Sequence, residues 1–228
     1  MKSRQPTDKR CLGSSSLVVM WSTILILPFG VAGQYSTEQF SQIRGRSIGP
    51  AGMSGRVASV DVITSSPNRI YVGAATGGVW RSVDGGISWE PIFDDQPLLG
   101  IGAVAVSPVN PDLVWVGTGE GNPRNSAGVG NGVFKSLDGG DTWLRVGLEG
   151  SERIDKIIPH PTDPDVAFVA AMGPAWSDGE VRGVFRTEDG GGNWERILYE
   201  NPRTGAADLI MDPDNPDKLF AAMWEFRR

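Results

Sequence analysis

The feature that most constrains the fold of this chain is a short element that occurs three times. It reads GVWRSVDGGISW from Gly78 to Trp89, GVFKSLDGGDTW from Gly132 to Trp143 and GVFRTEDGGGNW from Gly183 to Trp194. Each copy joins residues suited to a half-buried strand to an Asp-Gly-Gly turn, where glycine readily adopts the positive φ angles of a tight hairpin. The repeat therefore predicts three β-hairpins with equivalent turns.

The aspartates that recur in these turns, Asp84, Asp138 and Asp189, are interpreted as structural. A turn Asp can accept hydrogen bonds from its own backbone, and the Trp that follows can bury a large apolar face. Catalysis or metal binding is the alternative, but three copies of one local geometry cannot all be a single active site. The residues assigned to the structural turns are Ser82, Asp84, Gly86, Trp89, Ser136, Asp138, Gly140, Trp143, Thr187, Asp189, Gly191 and Trp194.

A longer repeat contains each hairpin. The three Asp positions are separated by 54 and 51 residues, and hydrophobic strands precede and follow a Pro-Asn or Pro-Asp turn in every unit. A period of about 50 residues with four strands per unit is typical of a β-propeller blade. We predict an all-β propeller of four-stranded antiparallel blades over residues 56–228. The expected blades are 56–95, 100–148, 153–199 and 205–228, the last being half a blade.

An incomplete blade leaves unpaired strand edges, so the ring needs another way to close. Residues 34–55 are predicted to be a lead-in or a closing strand, with Ile43 and Ile48 as its apolar residues. The alternative, which we prefer, is that the chain is the N-terminal piece of a longer protein.

Residues 1–33 are predicted to be a secretory signal peptide. Lys2, Arg4, Lys9 and Arg10 precede an apolar stretch from 17 to 31, and Val31-Ala32-Gly33 offers small residues for cleavage. The alternative is an uncleaved membrane anchor, although Pro28 interrupts a run that is short for a span. Cleavage would remove the only cysteine, Cys11, and would leave a chain without thiols that is exported from a bacterial cell.

Charge and composition exclude several function classes. Residues 1–33 carry four basic residues and one acidic residue, so cleavage would change the net charge from −6 to about −9. An acidic surface disfavours nucleic acid and, in the mature form, anionic membranes. The single histidine, His160, lies between two prolines without a partner for zinc or a catalytic triad. No phosphate-binding glycine motif is present either, so we predict no cofactor and no metal.

The turns sort the loops onto two faces. The Pro turns and the Asp-Gly-Gly turns must share one face of the blades, which leaves the irregular loops on the other face, where a ligand is expected. These loops gather acidic, basic, amide and aromatic side chains; the alternative is ordinary polar loops with incidental charges. The candidate ligand residues are Glu120, Asn122, Arg124, Asn125, Trp176, Asp178, Trp224, Glu225 and Arg227.

The turn element resembles the Asp-box, or bacterial neuraminidase repeat. Ser136, Asp138, Gly140, Thr142 and Trp143 match its S/T-x-D-x-G-x-T/S-W pattern fully, whereas the third copy has Asn193 in place of Thr, which we expect to weaken one turn bond. Residues 44–228 are similar to the opening blades of sortilin-type propellers in exported bacterial proteins. The resemblance implies a fold rather than an activity, because sialidases, xyloglucanases, sortilin receptors and photosystem II assembly factors share the repeat away from their ligand face.

Two function classes follow from this resemblance. The first is a non-catalytic binding propeller that presents its loop face to a peptide, a protein or a glycan, and this is our prediction. The second is a glycoside hydrolase, which needs two carboxylates about 5 to 9.5 Å apart. The loop carboxylates Glu120, Asp178, Glu180 and Glu225 form no recognised pair, and Arg46-Ser47-Ile48-Gly49-Pro50 stands where sialidases carry an Arg-Ile-Pro segment. No catalytic residue is therefore assigned from the sequence.

Overall fold

The structure is a computed structural model that describes residues 56–122 and 127–227. Its strands form three four-stranded antiparallel sheets and one two-stranded sheet, and in each sheet the strands follow one another in chain order. The first sheet contains β1 (Val57–Val62), β2 (Ile70–Ala74), β3 (Gly78–Ser82) and β4 (Glu90–Pro91). The second contains β5 (Ile101–Val106), β6 (Val114–Thr118), β7 (Val133–Ser136) and β8 (Leu144–Arg145). The third contains β9 (Ile154–Pro159), β10 (Ala167–Ala171), β11 (Gly183–Thr187) and β12 (Glu195–Leu198). The fourth contains β13 (Thr204–Asp212) and β14 (Asn215–Glu225).

This architecture confirms the predicted all-β fold of four-stranded antiparallel sheets. The described ranges contain no helix, and hence no helix that is long and apolar enough to cross a membrane. The predicted signal peptide and the predicted strand within 34–55 lie outside the described residues.

Neighbouring sheets pack face to face through their first two strands. Ile101, the first residue of β5, lies against Gly73 in β2, where a Cβ atom would come within 2.6 Å of the isoleucine side chain. The same contact recurs one sheet later between Ile154 and Gly117, at 2.4 Å. Both isoleucines are fully buried. Glycine in the second strand therefore sets how closely each sheet approaches the next.

The Asp-Gly-Gly turns have the predicted local hydrogen bonds. In the second turn the Ser136 hydroxyl donates to Asp138 Oδ1 at 2.7 Å and accepts the Gly140 amide at 2.8 Å. Asp138 also accepts the backbone amide of Thr142 at 2.9 Å. Both glycines of this turn have positive φ, 72° at Gly139 and 102° at Gly140. The first and third turns repeat these bonds with Ser82, Asp84, Gly86 and Ser88 and with Thr187, Asp189, Gly191 and Asn193.

The third turn keeps the bond that the sequence predicted to be weakened. Asn193 Nδ2 donates to Asp189 Oδ2 at 2.7 Å, in the place of the hydroxyl bond from Thr142 to Asp138 at 2.5 Å. The amide thus changes the donor without removing the bond. Each turn aspartate accepts two hydrogen bonds from the residue four positions later, one from its side chain and one from its backbone amide. These bonds, the side-chain bond most of all, lower the pKa of Asp84, Asp138 and Asp189 to about 2.

The turns also join one sheet to the next on a common face, which we call the turn face. Each Asp-Gly-Gly turn bonds to the Pro turn of its own sheet, as in the 2.8 Å bond from the Gly139 amide to the Asp112 carbonyl. The Gly139 carbonyl in turn accepts Tyr71 Oη at 2.9 Å and Arg81 Nη1 at 2.8 Å from the first sheet. Trp143 Nε1 donates back to the Ile92 carbonyl of the first sheet at 2.7 Å. The two kinds of turn therefore lie together, as predicted, and they also hold neighbouring sheets in register.

We predict that the buried hydroxyl of the second turn is more important for stability than the exposed residue beside it. Ser136→Ala leaves the buried Gly140 amide without its acceptor, so the free energy of unfolding should fall by about 1 to 3 kcal/mol. Urea unfolding of the full chain measures this change. Leu137→Ala is the matched control, because Leu137 lies in the same turn and its side chain is 60% exposed. Equal losses in the two variants would contradict the structural role of the hydroxyl.

Candidate functional site

The face opposite the turn face contains the start of every first strand and the loops that follow every second strand. We call it the ligand face, because it carries the residues that the sequence predicts to bind a ligand. Each first strand has a β-bulge within its first residues, which leaves one residue out of register with its neighbour. The bulged residues are Ala58, Gly102, Asp155 and Ala207. A bulge redirects a side chain out of the regular alternation of the strand.

All four bulged residues line one cavity, which we call the ligand cavity. Its volume is about 270 Å³. Three of the four bulged residues are alanine or glycine. Asp155 is the bulged residue that brings a polar side chain to the cavity. The remaining lining residues are Glu120, Gly121, Asn122, Met172 and Trp224.

Asp155 is the most perturbed carboxyl group in the described residues. Its Oδ1 is enclosed and has no hydrogen-bond partner among them. The backbone of Gly121 presses on this oxygen, since a Cβ atom at position 121 would lie 1.5 Å from it. Burial, assisted by the charge of Asp208 and opposed by that of Arg153, raises the pKa of Asp155 to about 7. Asp155 can therefore hold or release a proton near neutral pH.

Glu120 is a second carboxylate at the cavity, held in a different environment. Its side chain is 1% exposed and forms an ion pair with Arg56, whose Nε lies 2.9 Å from Oε1. The hydrogen bond with Glu120 raises the pKa of the Arg56 guanidinium. Asn122 Nδ2 also donates to Glu120 Oε1 at 3.3 Å. Glu120 and Asp155 therefore differ in their contacts: the Glu120 carboxyl group accepts hydrogen bonds from Arg56 and Asn122, whereas Asp155 Oδ1 has no donor among the described residues.

The loop after β6 positions Glu120 through backbone and hydroxyl bonds. The Thr118 hydroxyl donates to the Gly132 carbonyl at 2.7 Å and accepts the Asn131 amide at 2.8 Å. The amide of Glu120 itself donates to the Gly128 carbonyl at 3.0 Å. These bonds tie both ends of the loop together, so the Glu120 backbone is fixed.

Aromatic side chains lie on the fourth-sheet side of the ligand face. Trp224 lines the cavity and its ring lies 5.1 Å from that of Phe226. Phe226 is buried with Met172 and Ala175, which belong to the loop between β10 and β11 of the third sheet. Trp176 follows Ala175 and its side chain is 57% exposed. The third and fourth sheets thus share one apolar cluster behind the cavity.

The structure brings together some of the candidate ligand residues and separates others. Glu120, Asn122 and Trp224 line the cavity, and Trp176 lies in a loop beside it. Asp178 and Arg227 form an ion pair with each other, whereas Glu225 pairs with Arg203 at 2.7 Å. Arg124 and Asn125 lie outside the described residues.

Sequence reasoning missed Asp155, although a signal for it exists. When the four first strands are aligned at their bulges, the bulged position holds Ala58, Gly102, Asp155 and Ala207. A charged residue at a position that is otherwise Ala or Gly is conspicuous in that alignment. The bulges themselves are not visible in the sequence, because Ile154-Asp155-Lys156-Ile157 looks like an ordinary strand edge.

A larger cavity, of about 470 Å³, opens at the turn face beside Asp61, Ser107 and three prolines. Its carboxyl group is already engaged, because Asp61 Oδ1 accepts the backbone amide of Val62 at 2.8 Å and Oδ2 accepts that of Val106 at 2.7 Å. We therefore place the candidate site at the smaller ligand cavity. Within the described ranges, no group of three or more His, Cys, Asp or Glu side chains is arranged to hold a metal ion.

Comparison with known proteins identifies glycan-degrading enzymes among the relatives. No protein-family model matches the chain. A xyloglucanase of Paenibacillus sp. is 28% identical over 166 residues, which is 66% of this chain and 15% of that enzyme. A xyloglucanase of Hypocrea jecorina is 27% identical over 244 residues, covering 96% of this chain and 27% of the enzyme. The chain thus spans about a quarter or less of the length of these relatives.

Solved structures of the same kind share the fold. A GH74 xyloglucanase from Xanthomonas campestris superposes with a TM-score of 0.56 at 20% identity, covering 79% of this chain and 29% of that chain. An ancestral GH74 enzyme superposes with a TM-score of 0.59 at 22% identity, covering 77% of this chain and 22% of that one. These likenesses confirm the β-propeller fold that the repeat predicts.

Proposed function

We propose that the ligand face binds a xyloglucan-like polysaccharide and that Asp155 acts there as the general acid of glycoside hydrolysis. The observation that carries this proposal is the enclosed carboxyl of Asp155, which stands at a bulge in the cavity wall with a pKa of about 7. A glycosidic oxygen must receive a proton as its bond to the sugar breaks. A carboxyl group that keeps its proton near neutral pH can supply it.

The second carboxylate of the proposed mechanism is Glu120. Its ion pair with Arg56 places a cation beside the carboxyl group, and the proposed mechanism uses this group as the general base or the nucleophile. The two groups reach the cavity from different sheets, Glu120 from the loop after β6 and Asp155 from the start of β9. A glycan chain in the cavity would lie beside both lining residues.

The relatives support a glycan as the ligand class. Those that we compared are named xyloglucanases, and their solved counterparts have the same propeller fold. Their activity belongs to proteins much longer than this chain, so its transfer to this chain is part of our proposal. A peptide or protein ligand has no comparable support.

The second candidate is a non-catalytic glycan-binding propeller. One observation favours it: Glu120 is almost completely buried and already engaged by Arg56 and Asn122, which leaves little of the carboxylate open to water. In that case the same cavity would recognise the sugar without cleaving it.

Three further assignments belong to this proposal. We propose that the Asp-Gly-Gly turns are Asp-box repeats, because their serine, aspartate and glycine hydrogen bonds recur in all three sheets. We propose blade boundaries at 56–95, 100–148, 153–199 and 205–228, following the four sheets. Export through residues 1–33 is proposed as well, since an extracellular polysaccharide is out of reach inside the cell.

The raised pKa of Asp155 predicts a specific pH dependence of stability. Between about pH 4 and 7 the folded protein holds a proton that the unfolded chain has lost, so stability should fall as pH rises through this range. The loss is up to about 4 kcal/mol at 1.36 kcal/mol for each pKa unit. Urea unfolding between pH 4 and 8 should show this loss in the wild type and not in Asp155→Asn. Asp95→Asn, at an exposed position, is the control, and an unchanged slope in Asp155→Asn would refute the assignment.

The proposed activity is tested by incubating the full chain with xyloglucan and measuring both binding and new reducing ends. We expect hydrolysis that falls at alkaline pH, and a loss of about a hundredfold or more in Asp155→Asn with binding retained. Glu120→Gln should also lose hydrolysis, and Asp95→Asn should not. Binding without hydrolysis in the wild type would favour the second candidate, and an absence of binding would refute both.

A further inference from the structure

A buried arginine organises the loop that carries Trp176. The side chain of Arg182 is 0% exposed, and its guanidinium contacts main-chain carbonyls of the preceding loop. Nη1 donates to the Met172 carbonyl, and Nη2 donates to the carbonyls of Pro174 and Ser177, the latter at 3.2 Å. We call residues 173–179 the Arg182 loop. The planar guanidinium has several donors in a fixed arrangement, so one side chain binds both halves of this loop.

The backbone of the Arg182 loop fits closely around that side chain. Gly173 has a φ of +80°, and a Cβ atom there would lie 2.5 Å from Cγ of Arg182. At the other end of the loop, a Cβ atom at Gly179 would lie 2.5 Å from the ring of Pro174. The Gly179 amide donates to the Pro202 carbonyl at 3.0 Å, which anchors this end. The two glycines allow the chain to wrap around the guanidinium, so the loop has one well-defined path.

Trp176 occupies the middle of this loop between two fixed neighbours. On one side Ala175 is 3% exposed and packs with Met172 and Phe226. On the other side the carbonyl of Ser177 is held by Arg182. The Trp176 side chain is nevertheless 57% exposed. A large aromatic ring is thus presented to solvent between two residues whose positions are set by packing and by a hydrogen bond.

The loop borders the ligand cavity. Met172 and Ala207, which pack in the same cluster as Ala175, are themselves lining residues of the cavity. The ion pair between Asp178 and Arg227 joins the loop to the segment that follows Trp224, another lining residue. The backbone of Trp176 is therefore four residues from the lining residue Met172, on the side of the third and fourth sheets.

We propose that Arg182 is a positioning residue that holds Trp176 as a rigid stacking surface for a sugar ring at the rim of the ligand cavity. This inference rests on the proposed function only in that the ligand is a glycan. The faces of a pyranose ring carry C–H groups that pack on an aromatic ring, and the uncharged indole suits a neutral polysaccharide. Because the loop is already ordered, binding loses little conformational entropy there.

A double-mutant cycle on the full chain tests this role, with xyloglucan as the probe. Trp176→Ala should weaken binding about tenfold, since it removes one stacked ring. Arg182→Lys should weaken it several-fold, because a single ammonium group cannot hold all the carbonyls, but it should have no further effect in the Trp176→Ala background. Phe220→Ala is the control, because Phe220 is also 57% exposed but lies on β14. Unchanged affinity in Trp176→Ala would overturn the proposal, as would an equal effect of Arg182→Lys in both backgrounds.

A second measurement needs no ligand. It separates failure of the positioning role of Arg182 from failure of the proposed glycan ligand. The fluorescence anisotropy of Trp176, obtained as the difference between the wild type and Trp176→Phe, should indicate an immobile ring in the wild type and a more mobile one in Arg182→Lys. A mobile Trp176 in the wild type would overturn the proposal even if Arg182→Lys failed to fold. An immobile Trp176 in a protein that does not bind xyloglucan would refute the proposed glycan ligand and leave the positioning role of Arg182 intact.

Discussion

Close contact between neighbouring sheets is the constraint on which the rest of this structure depends. A four-stranded sheet has two faces, and each of the first two sheets packs against the next by placing a glycine under an isoleucine, Gly73 under Ile101 and Gly117 under Ile154. A larger residue at either glycine would separate the first strands of adjacent sheets. The bulges and Asp155 lie at the start of these strands, and Glu120 reaches the same cavity from the loop after β6. Their geometry is therefore a consequence of how closely the sheets approach.

The two faces of the propeller place aspartate side chains in contrasting environments. On the turn face, buried hydroxyls and backbone amides are paired, and glycine carbonyls such as that of Gly139 accept donors from the preceding sheet. The pKa values of the turn aspartates are low because their carboxylates are saturated with donors. On the ligand face Asp155 has the opposite environment, an enclosed oxygen without a donor in the described residues and a raised pKa. Aspartate thus has a lowered pKa in the turns of one face and a raised pKa at Asp155 on the other.

The ligand face also shows two ways of fixing a side chain. Glu120 is fixed by an ion pair with Arg56 and by a loop whose ends are tied together. Trp176 is fixed indirectly, through loop carbonyls that converge on Arg182. In both cases an arginine makes the contact, a part-exposed one at Glu120 and a fully buried one behind the loop of Trp176. Pre-ordering of this kind is what a binding site for a flexible polysaccharide requires.

Much of this arrangement could be predicted from local chemistry. The Asp turns involve hydrogen bonds among residues at most four positions apart, so the sequence of each copy predicts them directly. The repeat length and the Pro turns predicted the strands and the sharing of one face by both kinds of turn. Glu120, Asn122 and Trp224 were predicted as ligand residues because their loops are longer or more polar than a connection needs, and the structure places all three at one cavity. The pattern predicted a weaker turn bond at Asn193, but it did not show that the side-chain amide donates to Asp189 in the place of the threonine hydroxyl.

The sequence by itself determined the repeat, the strand order within each sheet and the turn chemistry, because these depend on neighbours along the chain. Only the tertiary structure decided which side chains meet. Asp155 is enclosed by the backbone of Gly121 from the neighbouring sheet, and Trp143 donates to a carbonyl 51 residues away. The environment of a carboxyl group is set by burial and by charges brought near it in space. The pKa of Asp155, and with it the candidate site, therefore emerges only when the sheets pack.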